Sequence, residues 1–134
     1  MGVFGSIFGL KSSKPTEESL WRMPQTKSEI DAVFKKNDKP QIIYKHSPRC
    51  GTSVLTKTNL ESGIGSILEK ADVYMIDVIS KREISRHVAE KTGVRHESPQ
   101  IILLHRGVPF WHGSHGDVRY EKIRDVLIEL TGTE

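Results

Sequence analysis

Tyr44-Lys45-His46-Ser47-Pro48-Arg49-Cys50-Gly51-Thr52-Ser53 contains the only cysteine of the chain. The apolar residues Ile42, Ile43 and Tyr44 lead into it and a helix-forming stretch leads out, which predicts a strand, a tight turn and a helix starting at Cys50 or one residue before. A sulfur at a helix start faces N–H groups without intrahelical partners and the positive end of the helix dipole. Both favour a thiolate over a thiol. Lys45, His46 and Arg49 are expected to push the same way. The stretch therefore points to chemistry at a single thiol.

The bulk numbers set limits. The chain has 134 residues, 36% hydrophobic and 28% charged, which suits one folded domain and argues against disorder. A net charge of +3, spread along the chain, gives no argument for nucleic-acid binding. One cysteine excludes an internal disulfide and fits a reducing compartment, so a cytoplasmic location is expected. Any disulfide partner must come from another molecule.

Outside the cysteine stretch, residues 1–19 read as an arm and 20–134 as the domain. Val3 to Leu10 is apolar but far short of the roughly 20 residues that cross a bilayer. Met1-Gly2 with Ser6 matches the short N-myristoylation pattern, which has many false positives. No stable membrane insertion is expected. Leu20–Met23 reads as a first short strand. Thr26-Lys27-Ser28-Glu29 is a capping box ahead of Ile30, Val33 and Phe34 at helical spacing. Gln41–His46 reads as a buried strand. Leu55, Leu60, Ile64, Ile67 and Leu68 supply the apolar side of the second helix, which Gly63 and Gly65 are expected to break. Val73–Val78 is a further strand. A second capping box, Ser80-Lys81-Arg82-Glu83, opens a helix that Gly93 ends. Gln100–His105 and Val108–His112 form a hairpin about Arg106-Gly107. Asp117 is placed to cap a last helix with Tyr120, Ile123, Val126, Leu127 and Leu130 inward.

The order is β-α-β-α-β-α-β-β-α. It predicts an α/β domain with a central mixed sheet of four or five strands flanked by helices. Three strands separated by helices are expected to pair in parallel through right-handed crossovers, and the last two to form an antiparallel hairpin.

This order, with a cysteine opening the second helix and Ser98-Pro99 before the hairpin, resembles the thioredoxin fold. The resemblance implies a cis Ser98-Pro99 bond lying beside the reactive cysteine. Three motifs narrow it: Lys45-His46-Ser47-x-x-Cys50-x-x-Ser53, Gly93-Val94-x-His96-Glu97-Ser98-Pro99-Gln100, and Trp111-His112-x-Ser114-His115. Together they resemble the monothiol bacilliredoxins of the YtxJ type, small proteins linked to bacillithiol. The likeness runs from about Leu20 to Leu130. Gly51 departs from the proline that commonly follows the cysteine in that family, and Cys50-Gly51-Thr52-Ser53 approaches the C-G-F-S signature of monothiol glutaredoxins. The co-substrate implied is thus a low-molecular-weight thiol, bacillithiol or glutathione, with no tightly bound cofactor.

The resemblance implies an oxidoreductase that removes such a thiol from mixed disulfides on client proteins. Cys50 is then the nucleophile. Ser53 stands where two-cysteine relatives carry a resolving thiol, and it can donate a hydrogen bond to the Cys50 thiolate. His46, Arg49, Gly51, Thr52, Ser98 and Pro99 are expected to bind the thiol or its peptide-like partner. Pro48 shapes the turn, Trp111 and His112 pack the last strand, and His115 fixes the loop into the last helix. No metal site is expected, because C-x-x-C and H-x-x-x-H pairs are missing. Two other readings remain open: an iron–sulfur carrier using Cys50 and a small thiol, and a non-catalytic thioredoxin-like interaction module.

Overall fold

The computed structural model describes residues 20–132. The N-terminal arm, with its apolar run and myristoylation pattern, lies outside them. Helix α1 spans Lys27–Phe34, β1 Gln41–His46, α2 Gly51–Ser62, α3 Ile64–Leu68 and β2 Asp72–Asp77. Helix α4 follows at Arg82–Thr92, then β3 Gln100–His105, β4 Val108–Ser114, a 3-10 turn at His115–Asp117, and α5 Tyr120–Thr131. The sheet order is β2-β1-β3-β4. Strand β1 is parallel to β2 and antiparallel to β3, and β3 and β4 form the antiparallel hairpin.

Strand β1 is central and every residue of it is buried, because helices cover both sheet faces. Ile42 and Tyr44 join Leu60, Ile67, Val73, Met75, Ile101, Leu103, Ile123 and Leu127 in one core. Ile43 joins Ile30, Val33, Ile76, Ile84, Val88, Ile102 and Leu104 in the other. The period of two along β1 sends Tyr44 and Lys45 to opposite faces, and this parity decides which side chains can reach the cysteine.

Several local expectations hold. Thr26 caps α1, its Oγ1 accepting from the Glu29 N–H at 3.1 Å. Helix two breaks at Gly63, where any side chain would run into the Tyr120 ring. Gly93 ends α4 in the left-handed conformation. The hairpin turns through Arg106 and Gly107, both at positive φ.

Others are corrected. Leu20–Met23 is not a strand: Arg22 alone makes a parallel bridge to Tyr74, because Pro24 stops the pairing almost at once. Ser80 does not cap α4. Asp77 occupies that corner, its Oδ1 accepting from the N–H groups of Ile79 (2.9 Å) and Ser80 (3.1 Å), and Lys81 is the cap residue. Asp117 does not cap α5. The Tyr120 N–H goes instead to Asn59 Oδ1 of α2 at 2.9 Å. Leu55 is 74% exposed and lies off the apolar side of α2. Strand β4 runs two residues further than the hairpin pattern suggests, with a register shift between Leu103 and Leu104 that Phe110 absorbs opposite. No helix among the described residues is long and apolar enough to cross a membrane.

Candidate active site

Cys50 is the residue immediately before α2, in extended conformation at φ −100° and ψ 121°. Its N–H donates to the Ser47 carbonyl at 3.1 Å, closing the turn through Pro48 and Arg49, and its own carbonyl accepts from Val54 at 3.1 Å. The backbone is thereby clamped on both sides of the sulfur. Cys50 is exposed, as are Pro48, Arg49, Gly51 and Thr52.

The backbone N–H of Ser53, then that of Thr52, hold the Cys50 thiol below its usual range. Slight desolvation opposes them, and the Ser53 and Thr52 hydroxyls add smaller pushes downward. The helix start therefore does what the sequence suggested. The basic neighbours do not lead the effect. Lys45 points to the opposite sheet face, where its ammonium donates to the Ser85 carbonyl at 3.1 Å and lies 3.1 Å from His96 Nδ1. Arg49 makes no ion pair among the described residues.

Ser53 is completely buried, and its Oγ has no partner within hydrogen-bond geometry. The hydroxyl's influence on the thiol is accordingly minor beside that of the Ser53 N–H. Ser98 Oγ is the other buried hydroxyl without a partner. Ser98 precedes the cis peptide bond to Pro99, as the fold resemblance implied. Lys45 pairs with Gln100, so Ser98-Pro99 enters the sheet at the end where β1 runs out toward Cys50. The Pro99 carbonyl accepts from the His115 N–H at 3.0 Å, with His115 at φ 55°. His115 thus fixes this loop through its backbone.

His46 is buried at the end of β1, its Nδ1 2.9 Å from the Tyr44 hydroxyl. The same hydroxyl donates to the Ser53 carbonyl at 3.2 Å. Burial, then the negative charges of Glu61 and Cys50, push the Tyr44 phenol upward, so it stays protonated. Trp111 packs against the core on the α2 and α5 side, whereas His112 is exposed and pairs with Ile102 in the sheet. No group of three or more His, Cys, Asp or Glu side chains that could hold a metal occurs among the described residues.

Sequence reasoning missed what lies beneath α2. Trp21 Nε1 donates to Glu61 Oε2 at 2.7 Å, Lys57 Nζ lies 2.9 Å from the same carboxylate, and the Trp21 ring stands 5.4 Å from Tyr44. The only signal in the sequence is the Lys57 and Glu61 spacing of four, which usually marks a solvated helix pair. Here the Glu61 side chain is 4% exposed. A cavity of about 580 Å³ between α3 and α5 lies away from the thiol, lined by Ile67, Tyr120 and Leu127 among others.

Solved structures share this architecture. A protein with a thioredoxin fold aligns at a TM-score of 0.73 and 24% identity, over 82% of this chain and 96% of that one. Thioredoxin from Trypanosoma brucei brucei gives 0.68 and 13%, over 92% and 98%. Mitochondrial thioredoxin 3 from Saccharomyces cerevisiae gives 0.67 and 13%, over 85% and 99%. At these identities the likeness shows the fold alone. The sequence pattern of the family described as monothiol bacilliredoxin BrxC matches residues 24–123, which takes in both the Cys50 turn and the Ser98-Pro99 loop. The chain belongs to the monothiol bacilliredoxin family, thiol-disulfide oxidoreductases built on the thioredoxin fold.

Proposed function

We propose that this protein removes a low-molecular-weight thiol, bacillithiol in the first instance, from mixed disulfides on cytoplasmic client proteins. One observation carries the reading: an exposed cysteine, the only one in the chain, sits at a helix start whose N–H groups favour its thiolate. The Cys50 thiolate attacks the sulfur of the small thiol in the mixed disulfide. The client leaves as its own thiolate, and Cys50 keeps the small thiol in a new disulfide. A second small-thiol thiolate then attacks that sulfur, releasing a symmetrical disulfide and regenerating Cys50. Ser53 cannot perform this second step, because a hydroxyl does not displace a disulfide partner.

In this reading Gly51 and Thr52 present backbone to the incoming thiol, and Arg49 offers an exposed cation to its carboxylates. Backbone groups of Ser98, ahead of Pro99, pair with the extended client segment. His46 acts through Tyr44 on the helix start.

Intact mass after mixing with a model client tests this directly. The client carries bacillithiol in one reaction and glutathione in another. A gain of one bacillithiol on Cys50 with release of the reduced client is expected, in excess of the gain from glutathione. No adduct from either donor would refute the transfer reading, and a preference for glutathione would refute the choice of thiol.

A further inference from the structure

Lys45 is the only fully buried lysine among the described residues, with no exposed surface. Its two contacts, the Ser85 carbonyl and His96 Nδ1, are neutral acceptors, and no carboxylate pairs with it. A buried ammonium without a counter-charge is costly. Burial alone pulls Lys45 down to about 8, so at neutral pH it still carries its proton. Burial, followed by the charge on Lys45, pulls His96 down as well.

A cavity of about 360 Å³ opens over this pair. Val78, Arg82, Ser85, Arg86, Ala89 and His96 line it, so it shares both of Lys45's partners. Arg82 and Arg86 stand one turn apart on α4, a like-charge spacing that disfavours the helix. Neither is ion-paired among the described residues. Two arginines and a histidine therefore line one hollow backed by a buried ammonium.

We propose that this cavity is an anion site that takes a small oxyanion or the phosphate or carboxylate end of a larger ligand. Arg82 and Arg86 grip it with paired N–H donors, which suit planar and tetrahedral oxyanions. Lys45 compensates its charge from behind Ser85 and His96. The site is distinct from the Cys50 thiol, which opens α2 on the other face of the sheet.

The test follows backbone amide NMR signals during titration with inorganic phosphate and, separately, with succinate, at fixed ionic strength. Saturable shifts centred on Ser85, Arg86, Ala89 and His96 are expected with at least one probe. Saturation by phosphate alone assigns a phosphate ligand, and by succinate alone a carboxylate ligand. Arg82→Gln and Arg86→Gln should each weaken binding about tenfold, the loss expected for one charge-assisted contact. Both side chains are exposed, so these variants should fold. Lys45→Met removes the buried charge at similar length and should weaken binding further. Unsaturated drift with both probes, saturation elsewhere, or unchanged affinity in the two arginine variants would overturn the assignment.

Discussion

Replacing Gly51 by Pro should stabilise the protein and leave the thiol as acidic as before. Gly51 is the first residue of α2, the position where the fixed φ of proline already suits a helix and the lost N–H has no intrahelical partner. Proline restricts the residue before it to extended conformations, and Cys50 already sits at φ −100° and ψ 121°. Nothing lies within 4 Å of where a Cβ would go at Gly51. The native state therefore accepts the ring without strain, while the unfolded chain loses the freedom of a glycine. Such changes are worth about 0.4–1 kcal/mol, and replacing the most flexible residue by the stiffest should reach the upper end. For a domain of this size, about 1 kcal/mol raises the melting temperature by about 4 °C. The donors that lower the thiol belong to Thr52 and Ser53, so the pH profile of alkylation should not move. Calorimetry and the rate of iodoacetamide alkylation against pH measure both quantities. A lower melting temperature, or an alkylation profile shifted upward, would refute the account of the helix start.

Four further outcomes follow from the same geometry. Cys50→Ser should abolish small-thiol transfer in the mass assay, whereas Ser53→Ala should slow it and raise the thiol only slightly, since the hydroxyl is the weaker influence. Lys45 titrates at about 8 when folded and at 10.5 in an ordinary environment, so the unfolded chain holds its proton longer. Stability should therefore rise with pH above about 8, by up to roughly 3 kcal/mol if the whole shift is recovered, and the difference between wild type and Lys45→Met should shrink over that range. The comparison is best ended near pH 10, where the upward-shifted Tyr44 begins to act in the opposite sense. Asn59→Ala should cost about 1 kcal/mol in urea denaturation, because it removes the only side-chain cap on α5 among the described residues.

What the sequence disclosed was local. The strand at Gln41–His46, the helix opening after Cys50, the break at Gly63 and the hairpin at Arg106-Gly107 all follow from patterns a few residues long. What it hid depends on groups far apart in the chain. Asn59 caps a helix that begins 61 residues later, and the Glu61 carboxylate takes a hydrogen bond from Trp21, 40 residues before it. The Lys45 error has a different origin. Strand parity alone forbids Lys45 and His46 from facing the same way, so the two could never both have served Cys50. Which of them faces α2 is decided by how the sheet is covered. The Ser80 and Asp117 caps failed because side chains the local pattern does not point to, Asp77 and Asn59, accept at those corners instead.

The Tyr44 hydroxyl ties the end of β1 to the first turn of α2. A phenol has one hydrogen, and the Ser53 carbonyl can only accept, so that hydrogen is committed to α2. The same oxygen lies 2.9 Å from His46 Nδ1, so one phenol joins the buried imidazole at the end of β1 to the helix that opens at the thiol. The carbonyl of Ser53 thus takes a donor from the central strand, and the residue whose N–H lowers the thiol is moored to the sheet from beneath.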